Sequence, residues 1–280
     1  MRVQLLTPPK SSTAYVDFSV SPLGLMYLAA SVRQGFPACE VKITDGQFHD
    51  ESSMLRDITM FAPNIIGISS LTSVVSAGYR LAREIKKINP TTLVVFGGVH
   101  ASCLPEEVIS SPEVDVVVVG EGETAFAQIV HKVARGDHDF SDIDGIWYRT
   151  SAGVRKTASR KAINSIDVIP FPARDLVDLK KYTYGPFSAA QGVVDGILMS
   201  RGCPCQCLFC ANRVWRMARP RFRLRSPRNI ADELEEMKNR YGVTRFENQS
   251  DVFGIPERWS IEVCEEMVRR NLNLPWITQV

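Results

Sequence analysis

The sequence lacks any apolar run of transmembrane length, and Met1-Arg2-Val3-Gln4-Leu5-Leu6 reaches Thr7-Pro8-Pro9 too soon to be a secretory signal. The expectation is a cytoplasmic chain with no membrane span. Neither sign of charge is in excess: 33 Lys and Arg face 31 Asp and Glu, a net charge of +2, which makes no global case for nucleic acid or an anionic membrane. No G-x-G-x-x-G follows the first apolar strand, which argues against a dinucleotide, and there is no Walker loop. No second C-x2-C pair accompanies the cysteines after Gly202, so a structural zinc site is disfavoured. Without a secretory signal, so is a disulfide framework. What remains is a 280-residue chain, 45% hydrophobic, sufficient for one large or two ordinary domains with buried cores.

Four of the seven cysteines fall between Cys203 and Cys210, while Cys39, Cys103 and Cys264 are scattered and read as buried or idle. The stretch Ser200-Arg201-Gly202-Cys203-Pro204-Cys205-Gln206-Cys207-Leu208-Phe209-Cys210 contains C-x3-C-x2-C. That spacing suits one short loop placing Cys203, Cys207 and Cys210 on three corners of a [4Fe–4S] cluster, whose ligands are thiolates. The fourth iron is then open to a small molecule. Cys205 either adds a fourth ligand, as an electron-transfer cluster requires, or points away; the expectation is that it is dispensable. Gly196–Ser200 reads as a short apolar strand entering the loop, with Gly202 and Pro204 helping the backbone to turn.

In the first half, apolar strands at Arg2–Leu6, Glu40–Thr44, Ile65–Ser69, Thr92–Phe96 and Val116–Val119 alternate with helical patterns at Leu23–Arg33, Met54–Phe61, Ser76–Ile88, Pro105–Ile109 and Thr124–Arg135. This alternation specifies an α/β fold with a doubly wound, flavodoxin-like parallel sheet, whose ligands sit at the carboxyl ends of strands. The loops there carry Ser69-Ser70-Leu71-Thr72, Gly97-Gly98-Val99-His100 and Gly120-Glu121-Gly122-Glu123-Thr124. Paired glycines let a bulky ligand approach the backbone, and small hydroxyls offer hydrogen bonds without filling space.

The cysteine loop, with its Ser-Arg-Gly-Cys-Pro lead and Phe209 before the last cysteine, resembles the radical S-adenosylmethionine (SAM) superfamily. In that family the open iron chelates SAM, which is split to a radical that abstracts hydrogen from substrate. The S-x-L turn at Ser69–Leu71 and the later Gly97-Gly98 resemble the cobalamin (B12)-binding domain. Pro22-Leu23-Gly24-Leu25-Met26-Tyr27-Leu28-Ala29 and Val119–Thr124 look like the cobalamin-dependent branch of radical SAM enzymes. The resemblance implies a cobalamin site at Ser69, Leu71, Thr72, Gly97, Gly98, Gly120 and Glu121. It implies SAM contacts from Phe209 and from the strand end carrying Glu247, Asn248 and Asp251, where Ser250 replaces the first of an expected acidic pair before Phe253. One departure stands out. Cobalamin domains often carry D-x-H-x-x-G, whose histidine ligates cobalt; here Asp45-Gly46-Gln47-Phe48-His49-Asp50 has Gln47 and Asp50 at the histidine and glycine positions. His49 is expected on a surface loop, His100 in a structural hydrogen bond or near cobalt, and His131 and His138 in no role.

The expected organisation is a cobalamin-binding domain over residues 1–142, a hairpin and Pro-rich linker over 143–184, and the first three β/α units of a radical SAM partial barrel over 185–280. Ile169-Pro170-Phe171-Pro172-Ala173-Arg174-Asp175 stiffens that linker. The arginines at 213, 216, 219, 221, 223, 225 and 228 read as a solvated basic face in preference to an RNA surface. The chain holds fewer β/α units than the family's barrels carry, so it is expected to be truncated and, alone, poorly active. The resemblance implies methyl transfer to an unactivated carbon of a small molecule, with a reductase, ferredoxin or flavodoxin as electron donor. Ring formation or rearrangement, and a non-catalytic cobalamin module, are the rivals. A tRNA methylthiotransferase is disfavoured because the first half has only Cys39 and Cys103 for the further cluster it needs.

Overall fold

The computed structural model describes residues 1–10, 19–183, 192–208, 210 and 219–280. The chain divides into two compact units, Met1–Ala14 with Gly24–Lys161, and Tyr15–Leu23 with Ala162–Val280. Among the described residues no helix is long and apolar enough to cross a membrane.

The first unit is built on β1 (Arg2–Thr7), β2 (Glu40–Asp45), β3 (Ile65–Ser69), β4 (Leu93–Gly97) and β5 (Val116–Val118), all parallel in the order β2-β1-β3-β4-β5. This is the flavodoxin-like strand order. Its helices are α1 (Leu23–Gly35), α2 (Glu51–Phe61), α3 (Val75–Ile88), α4 (Gly98–Cys103), α5 (Pro105–Ser110) and α6 (Glu123–Ala134). Leu6, Ile68, Phe96 and Val117 align across the sheet and pack with Met54 and Ile58 of α2, Leu81 and Ile85 of α3, and Val108 of α5. Each such side chain, fully buried, contributes roughly 1.5–3 kcal/mol. On the opposite face Leu5, Gly67 and Val95 align, and a Cβ at Gly67 would lie 3.2 Å from the Phe126 ring of α6. The glycine inside β3 therefore makes room for α6. Helix α2 starts three residues before the expected Met54 because Asp50 caps it, accepting from Ser53 N at 2.7 Å.

The hairpin expected in the linker belongs to this sheet. β6 (Ile146–Thr150) pairs antiparallel with β5, and β7 (Gly153–Lys156) pairs with β6. The Pro-rich segment joins the second unit instead, through short 3-10 turns at Ile166–Val168, Arg174–Leu176 and Leu179–Lys181, with Leu179 and Tyr182 buried in that unit's core.

In the second unit β8 (Val193–Ile197), β11 (Val243–Asn248) and β12 (Trp276–Thr278) form a parallel sheet in the order β12-β11-β8. Helix α7 (Pro227–Tyr241) links β8 to β11, and α8 (Glu257–Arg269) links β11 to β12. These are successive units of a partial β/α barrel. Ser226 caps α7 at Asn229 N, Pro227 opens it, and Gly242 ends it at φ 66°. Phe246 stacks on Trp276 at 5.4 Å, and Phe253 meets Trp276 edge-on at 5.2 Å. The strand before the cysteines is displaced from the expected Gly196–Ser200. β8 ends at Ile197, and Ser200–Arg201 (β9) pairs antiparallel with Arg223–Leu224 (β10). The cysteine loop is thus an excursion between β9 and β10.

Candidate functional site

In the first unit, the loops that leave β3, β4 and β5 are knitted together at the carboxyl ends of the strands. Ser70 N donates to Gly97 O at 3.2 Å, and His100 N donates to Ser70 O at 3.2 Å. Ser102 Oγ donates to Gly98 O at 2.8 Å and accepts from Gly120 N at 2.9 Å. Gly98 has φ +90°, and a Cβ there would meet Ser69 Oγ at 2.8 Å and Ser70 N at 3.0 Å. Only glycine permits this close approach of the two turns. Gly97 and Gly120 differ: a Cβ at Gly97 finds only Val118 O at 4.0 Å, and one at Gly120 finds nothing within 4 Å. Ser69, Gly97, Gly98 and Glu121 are half-buried, and Leu71, Thr72 and Gly120 are exposed, so the predicted residues are brought to one end of one sheet. Ser70, which sequence reasoning passed over, is buried with a hydroxyl that has no hydrogen-bond partner.

His100 is buried, with Nδ1 3.1 Å from Thr72 Oγ1 and Nε2 3.4 Å from Glu107 Oε1. Its Nδ1 contact fastens the β3 loop to α4, whereas Nε2 makes no hydrogen bond among the described residues. Tyr79, whose hydroxyl also faces Glu107, is pushed up to about 12 by burial and then by that carboxylate. Asp45, at the end of β2, accepts from Thr7 Oγ1 at 2.6 Å, Gln47 N at 3.0 Å and Gln47 Nε2 at 2.9 Å. The aspartate thus holds a glutamine amide at the position where cobalamin domains often have a histidine. His49, His131 and His138 are exposed.

In the second unit, Cys203 is half-buried and Cys205, Cys207 and Cys210 are exposed, and none of the four is in a disulfide. Among the described residues no group of three or more His, Cys, Asp and Glu side chains converges into a metal site. The donor set nevertheless fits an iron–sulfur cluster in chemistry, since Cys203, Cys207 and Cys210 share one loop. Burial pushes the Cys203 thiol up, and Asp251 adds to the effect. The turn into the loop needs Gly202, at φ +82°, because a Cβ would fall 1.9 Å from Arg221 O. Phe209, Arg213, Trp215 and Arg216 lie outside the described residues, as does the expected boundary at Tyr184.

At the end of β11 the predicted SAM contacts part company. Asp251 is exposed beside the Gly202 N–H, and desolvation pushes its carboxyl up against that hydrogen bond. Glu247 is half-buried and also pushed up by burial. Asn248 is buried: Nδ2 donates to Thr278 Oγ1 at 3.0 Å, and Oδ1 accepts from Ser250 N and Oγ.

The arginine run is not a uniformly solvated face. Arg219, Arg221 and Arg228 are exposed, but Arg223 and Arg225 are buried. Arg223 donates to Ile163 O at 3.0 Å. Arg225 Nη1 reaches Glu233 Oε2 at 2.5 Å and Leu198 O at 2.8 Å. Glu233 Oε1 accepts from Arg174 at 2.7 Å, and Arg174 Nε donates to Asp195 Oδ2 at 2.6 Å. Ser21 Oγ completes the chain by donating to Asp195 Oδ1 at 2.6 Å. Two cations and two anions are sealed together, so none is a lone buried charge. The signals available in sequence were an acid inside the apolar run Val193-Val194-Asp195-Gly196-Ile197 and the Pro-x-Pro-x-Arg segment.

Residues 10–130 match the family model of the B12 binding domain. That match covers most of the first unit. Among curated proteins, the chain is similar to an uncharacterized methyltransferase of Pyrococcus horikoshii, 33% identical over 99% of this chain and 59% of that protein. It is also similar to an anaerobic magnesium-protoporphyrin IX monomethyl ester cyclase of Rubrivivax gelatinosus, 29% identical over 99% of this chain and 50% of that protein. The chain spans about half the length of the curated relatives it matches. Among solved structures, the cobalamin-dependent SAM radical enzyme OxsB with aqua-cobalamin and SAM bound has a TM-score of 0.79 at 17% identity, over 98% of this chain and 38% of that one. That likeness establishes the fold.

Proposed function

We propose that the chain is the cofactor-binding part of a cobalamin-dependent radical SAM enzyme whose reaction is methyl transfer to an unactivated carbon of a small molecule. The observation that carries this reading is the B12 binding domain match joined, in one chain, to a partial β/α barrel that presents three thiols on one loop. When bound, the cluster and cobalamin supply reductive SAM cleavage and methyl carriage.

The first unit fits a large planar cofactor with a tail. Gly97 and Gly120 leave open space, Ser70 offers an unengaged buried hydroxyl, and Leu71, Val99 and Leu104 present exposed apolar surface near the same loops. Ser69, Thr72, Gly98 and Glu121 complete the proposed cobalamin contacts. In the second unit Cys203, Cys207 and Cys210 would hold the cluster. Asp251 and Glu247 remain as carboxylates for the SAM amino group, with Phe209 as the proposed aromatic contact. An electron donor such as a ferredoxin or flavodoxin is part of the proposal. The cyclase relative supports a second reading, ring formation by the same cofactors.

Anaerobic reconstitution with iron, sulfide and cobalamin, followed by SAM and a reductant, tests the reading. The expected outcome is a bound corrinoid spectrum and 5′-deoxyadenosine, at low turnover from this chain alone. A reconstituted chain that holds no corrinoid and no iron would sink it.

A further inference from the structure

Leu198 and Met199 lie between the end of β8 and Ser200, which opens β9, and the parallel ladder no longer pairs these three residues. Their buried backbone groups still require partners. Ser250 Oγ accepts from Met199 N at 2.8 Å and from Ser200 N at 2.9 Å, and donates to Asn248 Oδ1 at 2.7 Å. Asn248 is itself held by Thr278 of β12. The adjacent carbonyl, Leu198 O, accepts from Arg225 Nη1, while Gly196 O accepts from Arg174 Nη2 at 2.9 Å. Side chains therefore grip this segment immediately before Arg201-Gly202-Cys203.

We propose that Ser250 is a positioning residue for the iron–sulfur loop: its hydroxyl, with Arg225 on the neighbouring carbonyl, presets the backbone from which Cys203 departs. This rests on the reading of the cysteine loop as a cluster loop. It also explains why a serine stands where the resemblance leads one to expect an acid. A carboxylate at 250 accepts from the two N–H groups but cannot donate to Asn248 Oδ1, so the side-chain link to Asn248 is lost and only the backbone N–H of residue 250 still reaches that oxygen. Position 250 faces the protein frame, and contact with SAM falls to its neighbours.

The test uses the whole 280-residue chain, reconstituted anaerobically, as wild type, Ser250→Ala and Ser250→Thr. Iron and sulfide per chain are measured with the electron paramagnetic resonance of the reduced cluster, with and without SAM. In Ser250→Ala the cluster still assembles, but its spectrum broadens and the SAM-induced shift is lost; Ser250→Thr, which keeps the hydroxyl, restores both. Unchanged spectra in Ser250→Ala overturn the proposal. A wild-type chain that takes up no cluster overturns the cluster reading, and this inference with it. Should Ser250→Ala not fold, hydrogen exchange of the wild type decides. The Met199 and Ser200 amides are expected to be protected before any iron is added, whereas exchange as fast as the Cys203–Cys210 segment would refute a preset clamp.

Discussion

The first unit ties its ligand loops together with backbone groups and small hydroxyls, whereas the second holds the approach to its cysteines with buried charge. At the ends of β3, β4 and β5, Gly97 O, Ser70 O and Ser102 Oγ accept from neighbouring turns, and no side chain longer than serine takes part in those three bonds. Before the cysteines, Arg174, Asp195, Glu233 and Arg225 form a four-member network with no exposure worth the name. On the proposed reading, the difference follows from what each place would hold. A cofactor recognised by shape needs room, so the loops are thin and glycine-rich. A metal held by a few covalent ligands, as proposed for Cys203, Cys207 and Cys210, needs those ligands started from a fixed point.

The contrast breaks most visibly at Glu233. Glu233→Ala leaves two buried arginines without their shared partner, a change that typically costs about 3–5 kcal/mol. The second unit is expected to lose its cooperative thermal transition while the first keeps its own. Calorimetry that shows both transitions in place would remove the buried network from the account.

A smaller effect is expected at the glycines of the first unit. Gly98→Ala forces a residue with a side chain to φ +90° against Ser69 and Ser70, at a cost of about 1–3 kcal/mol, and should loosen the loops and abolish corrinoid binding. Gly97→Leu has space for its Cβ and should leave the fold intact while blocking the cofactor. Equal stability of the two variants in denaturant titration would contradict the geometry.

Acid separates the units more gently. Burial works to raise the Glu233 pKa, but Arg225 and Arg174 outweigh it and hold the carboxyl below its ordinary value. A depressed folded pKa gives stability that is present above the unfolded value of about 4.3 and is lost as pH falls through the folded value. The second unit should therefore weaken as pH drops below that range, and Glu233→Gln should flatten the dependence. Near-ultraviolet circular dichroism against pH would show it; identical profiles for wild type and Glu233→Gln would count against it.

The smallest expected effect is none. Cys205→Ala should reconstitute with wild-type iron content, while alanine at Cys203, Cys207 or Cys210 should abolish the cluster. Iron loss at Cys205 equal to that at its neighbours would make it a ligand.

The linear order of residues by itself determined the alternation of apolar strands and helices in the first unit, the thiol spacing of one loop, and the glycines at Gly97, Gly98 and Gly202. Each is a local property: periodicity, ligand spacing and backbone freedom are set by residues a few positions apart. The fate of Arg225 was of another kind. In sequence it is one arginine in a basic run, with Arg221 and Arg228 nearby, and nothing local separates those exposed ones from the buried Arg223 and Arg225. Only the fold brings Arg174 from the Pro-rich segment, Asp195 from β8 and Glu233 from α7 around it. The same holds for the hairpin at Ile146–Lys156, which joined the first sheet because β5 left it an open edge, and for Ser250, whose partners are about fifty positions away. Burial and long-range pairing depend on which surfaces meet, and the tertiary structure alone decides that.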